Sequence, residues 1–288
     1  PDVIYASVSA YGSEGPMSSP DAPGSAGFGE LRWVEVYDST STLVRSLIAE
    51  LPPHNAPRAV AVADAQSAGR GRLDRRWEAA AGSALMLSVA HEAPSDPEVL
   101  GALPLAMGLA AVEAIATTVG AMPGLKWPND LLVEVGGPDD WKKVGGILGE
   151  SFDDPRPVAV GRVAVLGIGI NTGWDALRSD LPEATSLNLV TGVEVDRREL
   201  AMALLARYRS WWQRLLDGDR AGFRAALEGA SLTIGRRVRV ELPTSEMTGV
   251  AEAITASGAL IIVEDGGARR EVTVGDVVHL RPLDDPQE

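Results

Sequence analysis

Gln66-Ser67-Ala68-Gly69-Arg70-Gly71-Arg72-Leu73-Asp74-Arg75-Arg76-Trp77 puts four arginines into seven positions of a chain that is otherwise acidic. Gly69 and Gly71 let the backbone approach a ligand closely. The arginines offer planar forks of donors that match phosphate and carboxylate. The run therefore reads as an anion-binding loop that closes over a phosphorylated ligand. On composition alone, a solvated basic loop is an equal reading. As an RNA-binding box it is weak, because Trp77 is its sole aromatic residue.

Working outward, the loop lies between two apolar runs, Arg58–Asp64 and Ala84–Ala90, which read as buried strands. Upstream, Trp33, Val34 and Val36 predict a short strand. Ser39 or Thr40 then caps a helix whose face holds Leu43, Leu47 and Leu51, with Val44 and Ile48 beside it. Downstream, Val99–Val119 reads as a buried helix, since its uncharged part of roughly 14 residues is short for a membrane span. Further strands are expected at Leu125–Trp127, Leu131–Val135, Val144–Ser151 and Val158–Ile170, with a turn at Gly136-Gly137-Pro138. A long helix opens at Asp196, where Glu199 completes the spacing of a capping box. After about Ser231 the pattern alternates apolar and polar residues between glycine turns, as in a small antiparallel barrel of about 50 residues.

The whole chain has 288 residues, no cysteine, and 40 acidic against 26 basic residues, giving a net charge of −14. That length supports a sizeable core without staples. Disulfides, thiolate nucleophiles and cysteine zinc sites are excluded. The acidic balance argues against bulk nucleic-acid binding. No basic residue precedes Arg32, so no secretory signal is read and a cytoplasmic location is expected. Residues 1–29, rich in Ser, Gly, Ala and Pro, are expected to form a disordered leader, with Met17 as a candidate natural start.

Three further segments carry chemistry. Lys126-Trp127-Pro128-Asn129-Asp130 packs a cation, an aromatic plate, a rigid turn and a carboxylate into five residues. Lys142-Lys143-Val144-Gly145-Gly146-Ile147-Leu148 carries lysine into a strand whose glycines let a ligand lie against the backbone. Gly167-Ile168-Gly169-Ile170-Asn171 ends a strand with small residues and an amide, but it is neither a phosphate loop nor a dinucleotide fingerprint.

Taken together and in this order, the four segments resemble the biotin protein ligase family, over roughly residues 33–283; Asp38-Ser39-Thr40-Ser41 resembles its Ser-Thr-Asn segment. The resemblance implies an α+β fold: a class II synthetase-like mixed sheet flanked by helices (residues 30–230) and a C-terminal SH3-like β-barrel (231–284). It implies that ATP, with Mg2+, activates biotin to biotinyl-5′-AMP, and that biotin then passes to a lysine of a biotin carboxyl carrier domain. By the same resemblance, Lys143 bridges the biotin carboxylate and the α-phosphate, and Arg70, Gly71 and Arg72 hold the phosphate side. Ser39, Thr40, Ser41 and Gln66 meet the ureido head of biotin. Arg72, Arg75, Trp77, Lys126, Asn129 and Asn171 meet the nucleotide, and Asp130 deprotonates or orients the incoming lysine. No resident metal site is expected.

Two departures stand out. Ser41 occupies a place where the family usually has Asn. Residues 136–141 are extra and are expected to form a hairpin tip. The chain before residue 31 is too short for a winged helix-turn-helix, so DNA binding is not expected. A membrane partner is not expected, and a homodimer through a sheet edge is a further expectation. The alternatives are a lipoate or octanoate ligase, whose usual Arg-Arg-x-x-Gly-Gly-Gly-Ala loop is missing here, and a non-catalytic biotin or nucleotide sensor, against which Lys143 and Asp130 argue.

Overall fold

A computed structural model of the chain describes residues 27–56, 58–73, 75–137, 139–157, 161–176, 178, 180–242, 245–273 and 275–279. Seven strands form the larger sheet: β1 (Glu30–Tyr37), β2 (Ala59–Gln66), β3 (Ala84–Glu92), β4 (Gly124–Lys126), β5 (Asp130–Glu134), β6 (Trp141–Asp153) and β7 (Arg162–Asn171). Their order is β1-β2-β3-β7-β6-β5-β4. Only β1 and β2 run parallel, with helix α1 (Thr40–Glu50) in the crossover between them. The other neighbours are antiparallel.

The central strands are apolar on both faces because helices cover both. Along β2 the small residues Ala59, Ala61 and Ala63 face α1, where Leu43, Val44, Leu47 and Ile48 close down on them. The alternate residues Val60 and Val62 face the opposite core, together with Leu85, Leu87 and Val89 of β3. That core is filled by α2 (Pro97–Thr118) and α4 (Arg197–Leu216). α2 is long and apolar enough to cross a membrane by length and composition, yet most of it is packed inside the protein. Its one interior charge, Glu113, accepts from Trp211 Nε1 at 3.0 Å. Asp96 caps α2 and Asp196 caps α4, each accepting backbone N–H bonds at the first turn. The short helix α3 (Leu187–Thr191) and α5 (Arg220–Ala230) complete the helical layer. Sequence reasoning missed α5, although Phe223, Ala226, Leu227 and Ala230 recur at helical spacing; only Phe223 and Leu227 of these are large.

The chain then builds a second sheet from β8 (Arg237–Glu241), β9 (Glu246–Ile254), β10 (Leu260–Glu264), β11 (Arg269–Val272) and β12 (Asp276–His279). Its order is β11-β10-β9-β8-β12, antiparallel throughout. Alternate residues Val238, Val240, Leu260 and Ile262 are buried in its core.

Two expectations change. Residues 1–26 of the anticipated leader lie outside the described residues, but Phe28, counted in that leader, is fully buried. It stacks on Tyr208 at 5.8 Å and Trp212 at 5.7 Å, against His91 on β3. One aromatic residue in a Gly-rich segment carries no periodicity, so nothing local marks it as core. The strand expected from Val158 is described from Arg162, since 158–160 lie outside the described residues.

Candidate active site

A cavity of about 340 Å³ opens on the face of the larger sheet that bears the N-terminus of α1. At one end, Ser39 caps α1, its side chain accepting from Thr42 N at 3.1 Å. Ser39, Thr40 and Ser41 are almost wholly buried. Thr40 N donates to Gln66 Oε1 at 2.7 Å, which spends that oxygen and turns the amide nitrogen toward other partners. Thr40 Oγ1 lies 2.8 Å and Ser41 Oγ 3.4 Å from Ser88 Oγ on β3. Ser88, which sequence reasoning missed, is fully buried behind the lining and braces two hydroxyls that do line the cavity. Its signal was there: it is the one hydroxyl in the apolar run Ala84–Ala90.

The arginine loop forms the opposite wall. Gly71 N donates to Arg75 O at 2.7 Å, Arg75 N to Arg72 O at 3.1 Å, and Trp77 N to Gly69 O at 3.1 Å. The loop thus folds back on itself as a tight hairpin. Arg70 points its fork at Glu150 of β6, with contacts of 3.0 and 2.7 Å. Arg72 is only 21% exposed and Arg75 69%. Burial pushes the Arg72 guanidinium down from its ordinary value, against the opposing pull of Asp276 and Asp130. Trp77 lies on the glycines of β6 and β7: a Cβ on Gly169 would overlap its indole ring, so that strand position must stay glycine.

Lys143 sits on the floor, its Nζ 2.6 Å from Asp130 Oδ1. Asp130 is held by the antiparallel register that sets it opposite Gly146 and Lys126. Lys126 and Asn129 are on the cavity wall. Asn129 is also a brace, since its Nδ2 donates to Ile147 O at 2.9 Å and its Oδ1 accepts from Arg72 at 3.3 Å. Trp127, read as an aromatic plate, is 2% exposed, and its Nε1 donates to Gly258 O of the second sheet at 2.9 Å. Asn171 ends β7 away from the cavity lining. It is buried, and its Nδ2 donates to Thr185 O at 3.0 Å. The expected tip at 136–141 falls between the antiparallel partners β5 and β6, except that Trp141 already opens β6, paired with Glu134. Beyond Gly146, residues Leu148–Asp153 of β6 pair with β7 alone among the described strands.

The cavity joins a buried hydroxyl cluster, a lysine–carboxylate pair and an arginine hairpin. That arrangement fits an enzyme that brings two anionic groups together over a mixed sheet. Residues 33–171 match the biotin/lipoate A/B protein ligase family, and residues 233–280 match the biotin protein ligase C-terminal domain. The chain is 37% identical to a biotin–[acetyl-CoA-carboxylase] ligase of Mycobacterium tuberculosis over 77% of this chain and 79% of that protein. It is 32% identical to a ligase of the same name from Paracoccus denitrificans, over 77% and 90%. The biotin protein ligase of Aquifex aeolicus, solved in complex with biotin and ATP, superposes with a TM-score of 0.71 at 26% identity, over 88% of this chain and all of that one. The chain belongs to the biotin protein ligase family.

Proposed function

We propose that this protein activates biotin with MgATP and transfers it to a lysine of a biotin carboxyl carrier domain. The observation that carries this reading is the pairing, in one cavity, of buried neutral hydroxyls with the arginine hairpin across the Lys143 floor. A cyclic urea presents one carbonyl acceptor and two N–H donors, which Ser39, Thr40, Ser41 and the Gln66 amide are equipped to meet, with Ser88 bracing Thr40 and Ser41 from behind. A dithiolane or an alkyl chain offers nothing to the bonding capacity these groups have left, and so forgoes about 0.5–1.5 kcal/mol for each hydrogen bond it cannot make. This favours biotin over lipoate or octanoate.

In the first step a biotin carboxylate oxygen attacks the α-phosphorus of ATP, and the bond to pyrophosphate breaks. Lys143, released from Asp130, neutralises the two anions as they meet. Arg70, on exchanging Glu150, and Arg72 take the phosphate side of the mixed anhydride, with the Gly71 backbone between them. Arg75, Lys126 and Asn129 line the nucleotide end, where Trp77 packs on the adenine and Asn171 holds the Thr185 segment behind it. In the second step the carrier lysine Nζ attacks the acyl carbon, AMP leaves, and Asp130 orients the amine and takes its proton. Magnesium enters as part of the substrate MgATP. The unpaired half of β6 supports strand addition by the carrier domain, or by a second copy of the chain. We place the enzyme in the cytoplasm, without a DNA or membrane partner.

The test is intact-mass analysis of a carboxylase carrier domain incubated with the protein, biotin and MgATP. Addition of one biotinyl group to one lysine, with AMP released in equal amount, is the expected outcome. An unmodified carrier in the presence of folded protein contradicts it.

A further inference from the structure

The C-terminal sheet reaches the cavity through one carboxylate. Asp276, the first residue of β12, presents Oδ2 to Arg75 Nη2 at 2.5 Å and Oδ1 to Arg72 Nη1 at 3.4 Å. The Gly275 carbonyl accepts from the same Arg72 nitrogen at 3.3 Å, and Asn129 Oδ1 meets it from the other side. Arg72 and Arg75 flank the tight turn of the loop, so one carboxylate staples both of its limbs. The short contact falls on Arg75, at the exposed rim. The partly buried Arg72 receives, among the described residues, contacts of 3.3–3.4 Å on one nitrogen, so its fork is steered without being saturated.

The anchor itself is fixed. Trp127 accepts the C-terminal part from both sides, its backbone N–H donating to Thr233 Oγ1 at 3.0 Å and its indole to Gly258 O at 2.9 Å. Gly101 of α2 comes so close to the Ser257 carbonyl that a Cβ there has no space. The place of Asp276, and with it that of Arg72, is therefore set by how the second sheet docks on the first.

We propose that Asp276 is a positioning residue of the adenylation site: it holds Arg72 over the phosphate of the acyl-adenylate, and so governs how long that reactive intermediate is retained. The proposal rests on the biotin-ligase reading above. A carboxylate that merely competed with phosphate would draw Arg72 into a short contact of its own, which Asp276 does not.

The experiment measures the release of biotinyl-AMP from pre-formed enzyme–adenylate complexes, so only folded, loaded protein contributes. Wild type, Asp276→Asn, Asp276→Glu, Arg72→Gly and the double variant Asp276→Asn/Arg72→Gly are compared. Asp276→Asn is expected to release the adenylate about 5- to 20-fold faster than wild type, as loss of one charge-assisted contact implies. Asp276→Glu is expected to restore most of the retention. The double variant should leak no faster than Arg72→Gly alone, because both changes break one device. Unchanged release from Asp276→Asn, multiplication of the two effects, or tighter ATP binding without leakage would each overturn the proposal. If wild type forms no adenylate at all, the biotin-ligase reading fails instead, which is a separate result from a retentive Asp276→Asn beside a leaking Arg72→Gly.

Discussion

Ser39, Thr40 and Ser41 at one end of the cavity, and Ser88 behind them, are at most 5% exposed and bond mainly to one another or to the backbone. At the other, Arg70 and Arg75 are 41% and 69% exposed, and their forks rest on the carboxylates of Glu150 and Asp276. The difference follows from what each end has to bind. A neutral urea head offers weak, directional hydrogen bonds, so the groups that meet it must be placed before it arrives. A phosphate brings its own charge, which replaces the carboxylate that a partly exposed arginine gives up. Specificity is thus built into the buried end, and retention into the exchangeable one. Lys143 stands between them, paired with Asp130, and belongs to the second kind.

The largest effect is expected where both ends depend on one group. Lys143→Ala should cut adenylate formation by roughly 10²-fold or more, about 3 kcal/mol of transition-state stabilisation, with biotin binding weakened far less. Single-turnover formation of biotinyl-AMP reads the first quantity and calorimetry the second. Comparable losses in both would erase the distinction between the two ends.

The buried end relies on the frame behind it, because β3 carries Ser88 on one face and His91 on the other. Phe28→Ala should lower stability by about 3 kcal/mol, the usual cost of emptying an aromatic core site. Removing residues 1–26 should leave the melting temperature within about 2 °C, since their composition supplies little contiguous apolar surface. Denaturant midpoints of the two variants check the pair. The Arg72→Gly variant is expected to leak adenylate about 10- to 100-fold faster and to label bystander lysines, while the first step persists. A blot for biotin on an unrelated lysine-rich protein reports it.

His91 supplies a pH signature for the frame. Its Nδ1 contacts Glu92 O at 2.8 Å and its Nε2 the Tyr208 hydroxyl at 2.8 Å. Burial pushes its pKa down to about 4. The unfolded chain protonates this residue near its ordinary value of about 6.5, and the native protein only near 4, so stability is full above 6.5 and falls as pH drops toward 4. Between pH 7 and 5 the loss should be about 2 kcal/mol, and His91→Gln should flatten that slope. Urea unfolding at the two pH values measures both. The smallest effect is expected at Ser88→Ala, which should raise the biotin requirement about 5- to 10-fold by removing the brace behind Thr40 and Ser41. Its ATP requirement should not move.

The central strands of the larger sheet were legible as unbroken apolar runs, and α1 and α4 by their capping residues, but the order of the strands was not. The loop, Lys143 and the Lys126–Asp130 turn were legible as local clusters of donors and small residues. The partners that define their state were not. Ser88, Glu150 and Asp276 lie 48, 80 and 201 positions from Thr40, Arg70 and Arg75, and only the folded chain brings them within reach. Phe28 was missed because one apolar residue makes no period; α5 was missed although Phe223, Ala226, Leu227 and Ala230 do recur at helical spacing, because two of the four are only alanine.

Exchange of labelled pyrophosphate into ATP tests the central claim most directly, because it requires both ends of the cavity at once. Wild-type protein should catalyse exchange with biotin at least about 100-fold faster than with lipoate or octanoate, since neither satisfies the buried hydroxyls. Equal exchange with all three acids, or exchange without any acid, would contradict the account.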